Sequence, residues 1–248
     1  MNLRRTALLL VALPLALGLA ACKDDKAGST GLAGAPIAKV AAPAGKAWTD
    51  TVSLTPEGGY LMGNPNAPIK LVEYGALSCS HCAEFSETGS AELHSSFIAS
   101  GRVSYELRYF MLNALDVPAA LLATCGPTEA VIPVSDQFWA WQREMFANLQ
   151  KNPQLSEAAQ NAQPPQRFAL LAKAGGMDQF FAARGIAADQ AAACLANTAK
   201  ATALVAATDK AQRDVGITGT PTFIINGTKL EVNTWPAVKA ELEKAGAR

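Results

Sequence analysis

Two cysteines separated by two residues are the part of this sequence best suited to chemistry. Cys79 and Cys82 lie in the stretch YGALSCSHCAEF, residues 74–85. Such a pair can be half of a structural zinc site, a short disulfide, or a redox couple. A structural zinc site needs four ligands, the other cysteines are scattered, and His81 is badly placed to coordinate beside both sulfurs. A disulfide between residues three apart removes little unfolded-state entropy, so the sequence favours a redox couple.

The elements around the pair predict what each sulfur does. Residues 69–74 form an apolar run that indicates a buried strand. Apolar residues at every fourth position after the cysteines indicate a helix that ends near residue 99. Cys79 then lies at the helix amino terminus, where free N–H groups and the helix dipole favour a thiolate and lower the thiol pKa. Cys82, one turn further on, is expected to be more buried and to resolve mixed disulfides.

Two histidines lie close to this pair in the sequence. His81 is expected to supply a positive charge or a hydrogen bond to the Cys79 thiolate. His94 lies some three turns along the predicted helix and is expected to be a surface residue. The sequence therefore predicts one histidine that acts on the sulfur and one that does not.

The rest of the chain predicts a small α/β layer into which helices are inserted. Residues 102–111 alternate in the way of a second strand, and a third strand, 222–225, is followed by Asn226 and Gly227, a strong hairpin signal. A closing helix is predicted from Trp235. Aromatic residues in the helical middle of the chain are expected to pack in a core. The helices predicted there by composition span residues 116–126, 136–150, 164–176 and 188–214.

The amino-terminal sequence MNLRRTALLLVALPLALGLAAC is typical of an export signal. Its apolar run of about 15 residues is shorter than the ~20 needed to span a bilayer, and its last four residues resemble the lipobox of bacterial lipoproteins. We therefore expect residues 1–21 to be a signal peptide and Cys22 to carry lipid, which would hold the protein on a membrane in the periplasm. Residues 22–50 are predicted to be a flexible tether and residues 51–248 the folded domain.

Charge and cysteine count narrow the class further. The chain has 21 basic and 21 acidic residues, which argues against a nucleic-acid-binding surface. If Cys22 carries lipid, four cysteines remain, an even number for an oxidising compartment. Cys125 and Cys194 are expected to form a second disulfide that stabilises the protein by about 4 kcal/mol in the loop-entropy model. Two buried free thiols remain the alternative.

A second motif, GITGTPTFIING at residues 216–227, leads to a family. A CxxC pair after a strand, followed later by Thr-Pro at the start of a hairpin strand, resembles the thioredoxin superfamily. The resemblance implies that Pro221 follows a cis peptide bond and faces the cysteine pair. It also implies that Thr220 offers its backbone to a substrate strand and its hydroxyl to Cys79.

The long spacing between the two motifs resembles the DsbA-like branch of this superfamily. The resemblance implies an α/β thioredoxin fold with a helical domain inserted at about residues 113–212, between the CxxC half and the cis-proline half. Glu73, six residues before Cys79, matches the buried acid that this family keeps beneath its disulfide as a proton acceptor. Ser80 departs from the proline that the best-known oxidants carry, so the strength of the oxidant stays open.

The resemblance implies an exported thiol:disulfide oxidoreductase that forms disulfides in cell-envelope proteins through Cys79 and Cys82. It implies no cofactor and no metal, reduced or unfolded envelope proteins as substrates, a DsbB-type membrane reoxidant, and a monomer. A periplasmic isomerase or reductase is the alternative within the class. A non-catalytic module that binds clients or handles metal is the alternative from a different class.

Overall fold

Two parallel strands form the centre of a mixed sheet in the computed structural model, which describes residues 33–248. The predicted signal peptide and Cys22 lie outside the described residues. The strand order is β1-β2-β4-β3-β5-β6, and every neighbouring pair except β3 and β4 is antiparallel. The strands are β1 Val52–Leu54, β2 Tyr60–Gly63, β3 Ile69–Gly75, β4 Val103–Tyr109, β5 Thr222–Ile225 and β6 Thr228–Lys229.

Seven helices lie between β4 and β5 within the described chain, which confirms the predicted α/β fold with a helical insertion. No helix within residues 33–248 is long and apolar enough to cross a bilayer. The helices are α1 Ser80–Glu92, α2 Asp116–Ala123, α3 Val131–Lys151, α4 Pro153–Asn161, α5 Gln166–Gly175, α6 Met177–Ala182, α7 Ala188–Leu195, α8 Thr198–Lys210 and α9 Trp235–Leu242.

Residues 188–214 are helical as predicted, but the chain forms two helices there, α7 and α8. The side chain of Asn197 accepts a hydrogen bond from the backbone N–H of Lys200 at 2.9 Å and caps α8. Asparagine at an N-cap satisfies one of the free N–H groups of a new helix. The alanine-rich composition on both sides hides this break from a reading of composition alone.

Helix α1 packs closely on the sheet and on the last helix. A Cβ atom at Gly89 would lie 2.7 Å from the ring of Trp235, so only glycine allows this approach. The ring of Phe85 lies 4.4 Å from that of Phe223 on β5, centroid to centroid. Beyond α1 the chain continues in a π-wound turn at Leu93–Ile98. These contacts fix the helix that begins at the cysteine pair.

The helical insertion has its own aromatic core. Phe138 is fully buried, and its ring lies 5.2 to 5.6 Å from those of Trp141, Phe180 and Phe181. This confirms the predicted core packing for the stripe on α3. Phe146 is the exception, since 36% of it is exposed.

The prediction that residues 22–50 form a flexible tether is wrong for the described part of this segment, because that part packs on the folded domain. The backbone N–H groups of Gly34 and Ile37 donate to carbonyls of the C-terminal turn Glu243–Ala247, each at 2.9 Å. Trp48 is buried at the edge of the core. Backbone hydrogen bonds and one large apolar side chain therefore hold a segment whose composition predicts no stable structure.

Candidate active site

The cysteine pair lies just beyond the carboxyl end of β3, where α1 begins. Cys79 has an extended backbone, with φ −82° and ψ 120°, and is the N-cap of α1. Its Sγ accepts a hydrogen bond from the backbone N–H of Cys82 at 3.3 Å. Both residues are free thiols in this structure. The predicted position of Cys79 at the helix amino terminus is confirmed.

The two sulfurs have opposite electrostatic environments. The Cys82 thiol, the Thr220 hydroxyl and the backbone N–H groups of Cys82 and His81 together lower the pKa of Cys79 to about 6, against the opposing effect of burial. Cys82 is fully buried. Burial first, and the neighbouring Cys79 second, hold the pKa of the Cys82 thiol well above its usual value. One sulfur is therefore a thiolate at neutral pH and the other a thiol.

The peptide bond between Thr220 and Pro221 is cis, as the resemblance implied. It places the Thr220 carbonyl oxygen 3.2 Å from Cys79 Sγ, which donates to it as a thiol. Thr220 Oγ1 is buried and has no hydrogen-bond partner among the described residues, so it is available to donate to the thiolate. The strand that follows pairs with β3 at Tyr74 and Thr222, which brings the proline loop against the cysteines.

Glu73 lies in the middle of the sheet and is fully buried. Its Oε2 accepts a hydrogen bond from the Tyr105 hydroxyl at 2.7 Å, whereas its Oε1 has no partner among the described residues. Burial raises the pKa of Glu73 to about 8, with smaller contributions from the charges of Asp136 and Cys79. The acid is therefore protonated at neutral pH and can give up its proton close to the two sulfurs.

The structure overturns the predictions for both histidines. The His81 side chain is 71% exposed and places Nδ1 3.4 Å from Oε2 of Glu84, and it is the backbone N–H of His81 that acts on Cys79. His94 is not a surface residue: its side chain is 23% exposed, and Nε2 lies 3.8 Å from Oδ2 of Asp136.

A buried aspartate that sequence reasoning missed shapes the loop before the cysteines. Asp116 accepts hydrogen bonds from Ser78 N at 2.8 Å and Ser78 Oγ at 3.0 Å. It also accepts from the backbone N–H groups of Leu112 and Asn113 at 3.0 and 2.9 Å. Burial raises the pKa of this carboxyl. An acid in the first turn of a helix was the available signal, but such acids are common there.

Two polar side chains on α3 hold the same loop from the helical insertion. Trp139 Nε1 donates to the carbonyl of Ala76 at 3.0 Å. Gln142 Nε2 donates to the carbonyls of Leu77 and Cys79 at 2.7 and 3.0 Å. The sequence places a glutamine on the apolar side of α3, which was a usable signal, since buried amides are nearly always hydrogen-bonded. The insertion therefore braces the cysteine loop.

The second cysteine pair forms a disulfide, which confirms the predicted division of four cysteines into two pairs. Cys125 and Cys194 are bonded, with their Cα atoms 5.9 Å apart and a sequence separation of 69. The bond joins the end of α2 to α7. Gln190 Nε2 donates to the Cys125 carbonyl at 3.0 Å across the same junction.

Known proteins resemble this chain in sequence and in fold. A family model described as thioredoxin matches residues 55–244. A Rickettsia conorii protein named as a protein-disulfide oxidoreductase is 24% identical over 192 residues, which cover 75% of this chain and 59% of that protein. The crystal structure of a protein-disulfide isomerase from Novosphingobium aromaticivorans matches with TM-score 0.69 and 28% identity, covering 74% of this chain and 94% of that one.

Wolbachia pipientis alpha-DsbA1 matches with TM-score 0.62 and 20% identity, over 78% of this chain and 93% of that one. That likeness shows the fold, including the helical insertion. The chain spans about three fifths of the length of the Rickettsia conorii relative. The family match covers more than three quarters of the present sequence. The chain therefore belongs to the thioredoxin family and has the fold of its DsbA-like members.

Proposed function

We propose that this protein is a thiol:disulfide oxidoreductase that forms disulfides in exported proteins through Cys79 and Cys82. The observation that carries the proposal is the opposite shift of two neighbouring thiols: the pKa of Cys79 falls to about 6, while that of Cys82 is raised well above its usual value. A low pKa makes the outer sulfur a good leaving group. The buried sulfur of Cys82 takes part in forming and breaking the internal disulfide with Cys79.

The reaction begins with the oxidised pair and a substrate that carries two thiols. A substrate thiolate attacks Cys79 Sγ, the bond between Cys79 and Cys82 breaks, and Cys82 leaves and takes up a proton. Protonated Glu73 is the group placed to supply that proton. The second substrate thiolate then attacks the substrate sulfur of the mixed disulfide and releases Cys79 as a thiolate. Two electrons pass from the substrate to the enzyme, and the substrate gains one disulfide.

The thiolate of Cys79 supports oxidation rather than reduction. A pKa of about 6 in the folded protein, against a usual value near 9, stabilises the reduced form by about 1.4 kcal/mol at pH 7. An interaction that stabilises only the reduced form makes its formation more favourable. The oxidised enzyme therefore transfers its disulfide to a substrate more readily.

The substrate surface lies where the two loops meet. The Thr220 carbonyl and the N-terminal end of β5 offer backbone groups to an extended substrate segment. Leu112, in the loop that Asp116 organises, is 46% exposed and presents an apolar side chain to an unfolded client. These features suit reduced or unfolded proteins better than one small molecule.

The proposed setting rests on the amino-terminal sequence. The export signal of residues 1–21 and the lipobox at Cys22 support a lipid-anchored protein in the periplasm. Each turnover leaves the cysteine pair reduced, so a reoxidant must accept two electrons. A DsbB-type membrane protein fits that role, and a monomer would present the active site to both partners. No cofactor is needed for thiol exchange.

A disulfide isomerase is the second candidate, because the Novosphingobium aromaticivorans isomerase is 28% identical to this chain. Two assays separate the candidates. Oxidised enzyme mixed with a reduced, unfolded two-cysteine protein should form one substrate disulfide per enzyme and become reduced. Reduced enzyme mixed with a scrambled disulfide protein should give little native product. Efficient unscrambling without net oxidation would overturn the oxidase assignment, and inactivity in both assays would overturn the proposed function.

A further inference from the structure

Below the cysteine pair, four polar side chains form a cluster from the buried centre of the sheet to the protein surface, in which Glu73 and Tyr105 are hydrogen-bonded and the other neighbours are in looser contact. Glu73 is fully buried, and its Oε2 accepts from the Tyr105 hydroxyl at 2.7 Å. The ring of Tyr105 packs against that of His94, with 6.5 Å between centroids. His94 Nε2 lies 3.8 Å from Asp136 Oδ2. The cluster joins β3, β4, the π-wound turn and α3.

The outer end of this cluster is oriented by hydrogen bonds from α1. Ser86 and Ser90 donate to Oδ1 of Asp136 at 2.8 and 2.9 Å, which leaves Oδ2 to face His94. The His94 and Asp136 side chains are 23% and 21% exposed, so protons can exchange with water there. At the inner end Glu73 is close enough to both cysteines for its charge to affect them.

Two atoms of the cluster are buried and have no hydrogen-bond partner within the described residues: Glu73 Oε1 and His94 Nε2. Such atoms are rare in folded proteins because each costs free energy. Both belong to groups that gain or lose protons. Burial holds the pKa of His94 below its usual value and that of Asp136 above its usual value. Each shift favours the uncharged form of the side chain.

The titratable groups around the cluster lie on, or directly beside, the helices and strands already described. Cys79 and Cys82 face it from α1. Asp136 also acts on two buried tyrosines of β4. The full set is Glu73, Cys79, Cys82, His94, Tyr105, Tyr109 and Asp136.

We propose that His94 and Asp136, together with Tyr105 and bridging water, carry the proton between Glu73 and solvent when Cys82 reacts. The inference rests on the proposed thiol exchange and adds positioning residues to it. When Cys82 resolves a mixed disulfide, its sulfur attacks Cys79 Sγ and the partner thiolate leaves. Glu73, which is protonated at neutral pH, first gives its proton through the cluster to water and then takes up the Cys82 proton. In the opposite direction the same route returns a proton to Cys82.

The experiment follows two steps separately in the full chain. Reduced protein is mixed with oxidised glutathione, samples are quenched with acid, and the mixed disulfide at Cys79 and the internal disulfide are counted by mass. Only the second step requires a proton to leave Cys82. With His94→Ala we expect the second step to slow roughly tenfold or more at neutral pH. The first step should stay within about twofold of the parent, and added imidazole should restore the second step.

Asp136→Asn keeps the shape of the side chain and should slow the second step in the same direction. If the alanine variant does not fold, this isosteric variant carries the test. Ser95→Ala is the matched control, because Ser95 follows His94, is exposed, and bonds only the Ala91 carbonyl of its own helix. It should leave both steps unchanged.

Unchanged second-step rates in both variants would overturn the proton route. Equal slowing of both steps without imidazole rescue would do so too, because it would indicate a merely structural role. If the parent protein fails to react with oxidised glutathione at all, the proposed function fails instead. The two failures are therefore distinguishable in one experiment.

Discussion

The two cysteine pairs of this protein use opposite ends of helices. Cys79 is the N-cap of α1, where N–H groups point at its sulfur. Cys125 follows the carboxyl end of α2, and Cys194 lies in the last turn of α7. A helix amino terminus stabilises a thiolate, whereas the negative carboxyl end does not. The comparison indicates that helix position makes one pair reactive and leaves the other as a structural disulfide.

Removing the reactive sulfur tests this comparison with the largest expected effect. Cys79→Ser should reduce thiol exchange on the order of a thousandfold or more, because a serine hydroxyl cannot form the mixed disulfide. The measurement is oxidation of a reduced two-cysteine substrate protein by the pre-oxidised enzyme. A variant that retained its cellular function without exchange activity would support a client-binding module instead.

The opposite result is expected for the second pair. The double variant Cys125→Ser/Cys194→Ser should lose about 4 kcal/mol of unfolding free energy, because the bond joins residues 69 positions apart. Its exchange rate should remain within about twofold of the parent. Urea unfolding and the substrate assay check the two parts. A large fall in exchange rate with little loss of stability would reverse the roles assigned to the pairs.

The brace from α3 is expected to have an intermediate effect. Gln142→Leu removes the donor to the buried Leu77 carbonyl, while the Cys79 carbonyl keeps the Ala83 N–H at 3.1 Å, so the change should cost about 1–3 kcal/mol. The exchange rate should fall several-fold as the loop loosens. Gln150→Leu, an exposed position on the same helix, is the matched control. Equal stability of the two variants would show that the brace contributes nothing.

The pH dependence of stability gives the smallest effect. The folded pKa of Cys79, about 6, lies below its unfolded value near 9, so its contribution is fully present above pH 9 and is lost as the pH falls through 6. Groups with the same pKa in the reduced and oxidised forms cancel when the two unfolding free energies are subtracted. The unfolding free energy of the reduced form, minus that of the oxidised form, should rise by about 1.4 kcal/mol from pH 5 to pH 7. A flat difference would contradict the thiolate assignment.

Features set by short stretches of chain could be predicted from the sequence. The cis bond before Pro221 was implied only by the family resemblance, whereas the N-cap position of Cys79 and the hairpin at Asn226 and Gly227 are of this kind. Each depends on a few neighbouring residues whose backbone preferences are strong. Glu73 could be placed because a lone acid in an apolar strand stands out.

Features set by distant partners could not be predicted. Gln142 reaches the cysteine loop across 63 and 65 residues, and Asp116 reaches Ser78 across 38. The position of the His81 side chain was predicted wrongly because it depends on the residue at which α1 begins. His94 was misplaced because α3, which buries it, joins it only in the folded chain. Tertiary contacts decide these positions, and one sequence does not reveal them.

The most direct test is the pKa of the Cys79 thiol, measured from the ultraviolet absorbance of its thiolate as reduced protein is titrated. The Cys79→Ser variant provides the baseline, since Cys82 should stay protonated throughout the range. The account predicts a transition at a pH of about 6. A transition near pH 9, the usual range of a free thiol, would contradict it.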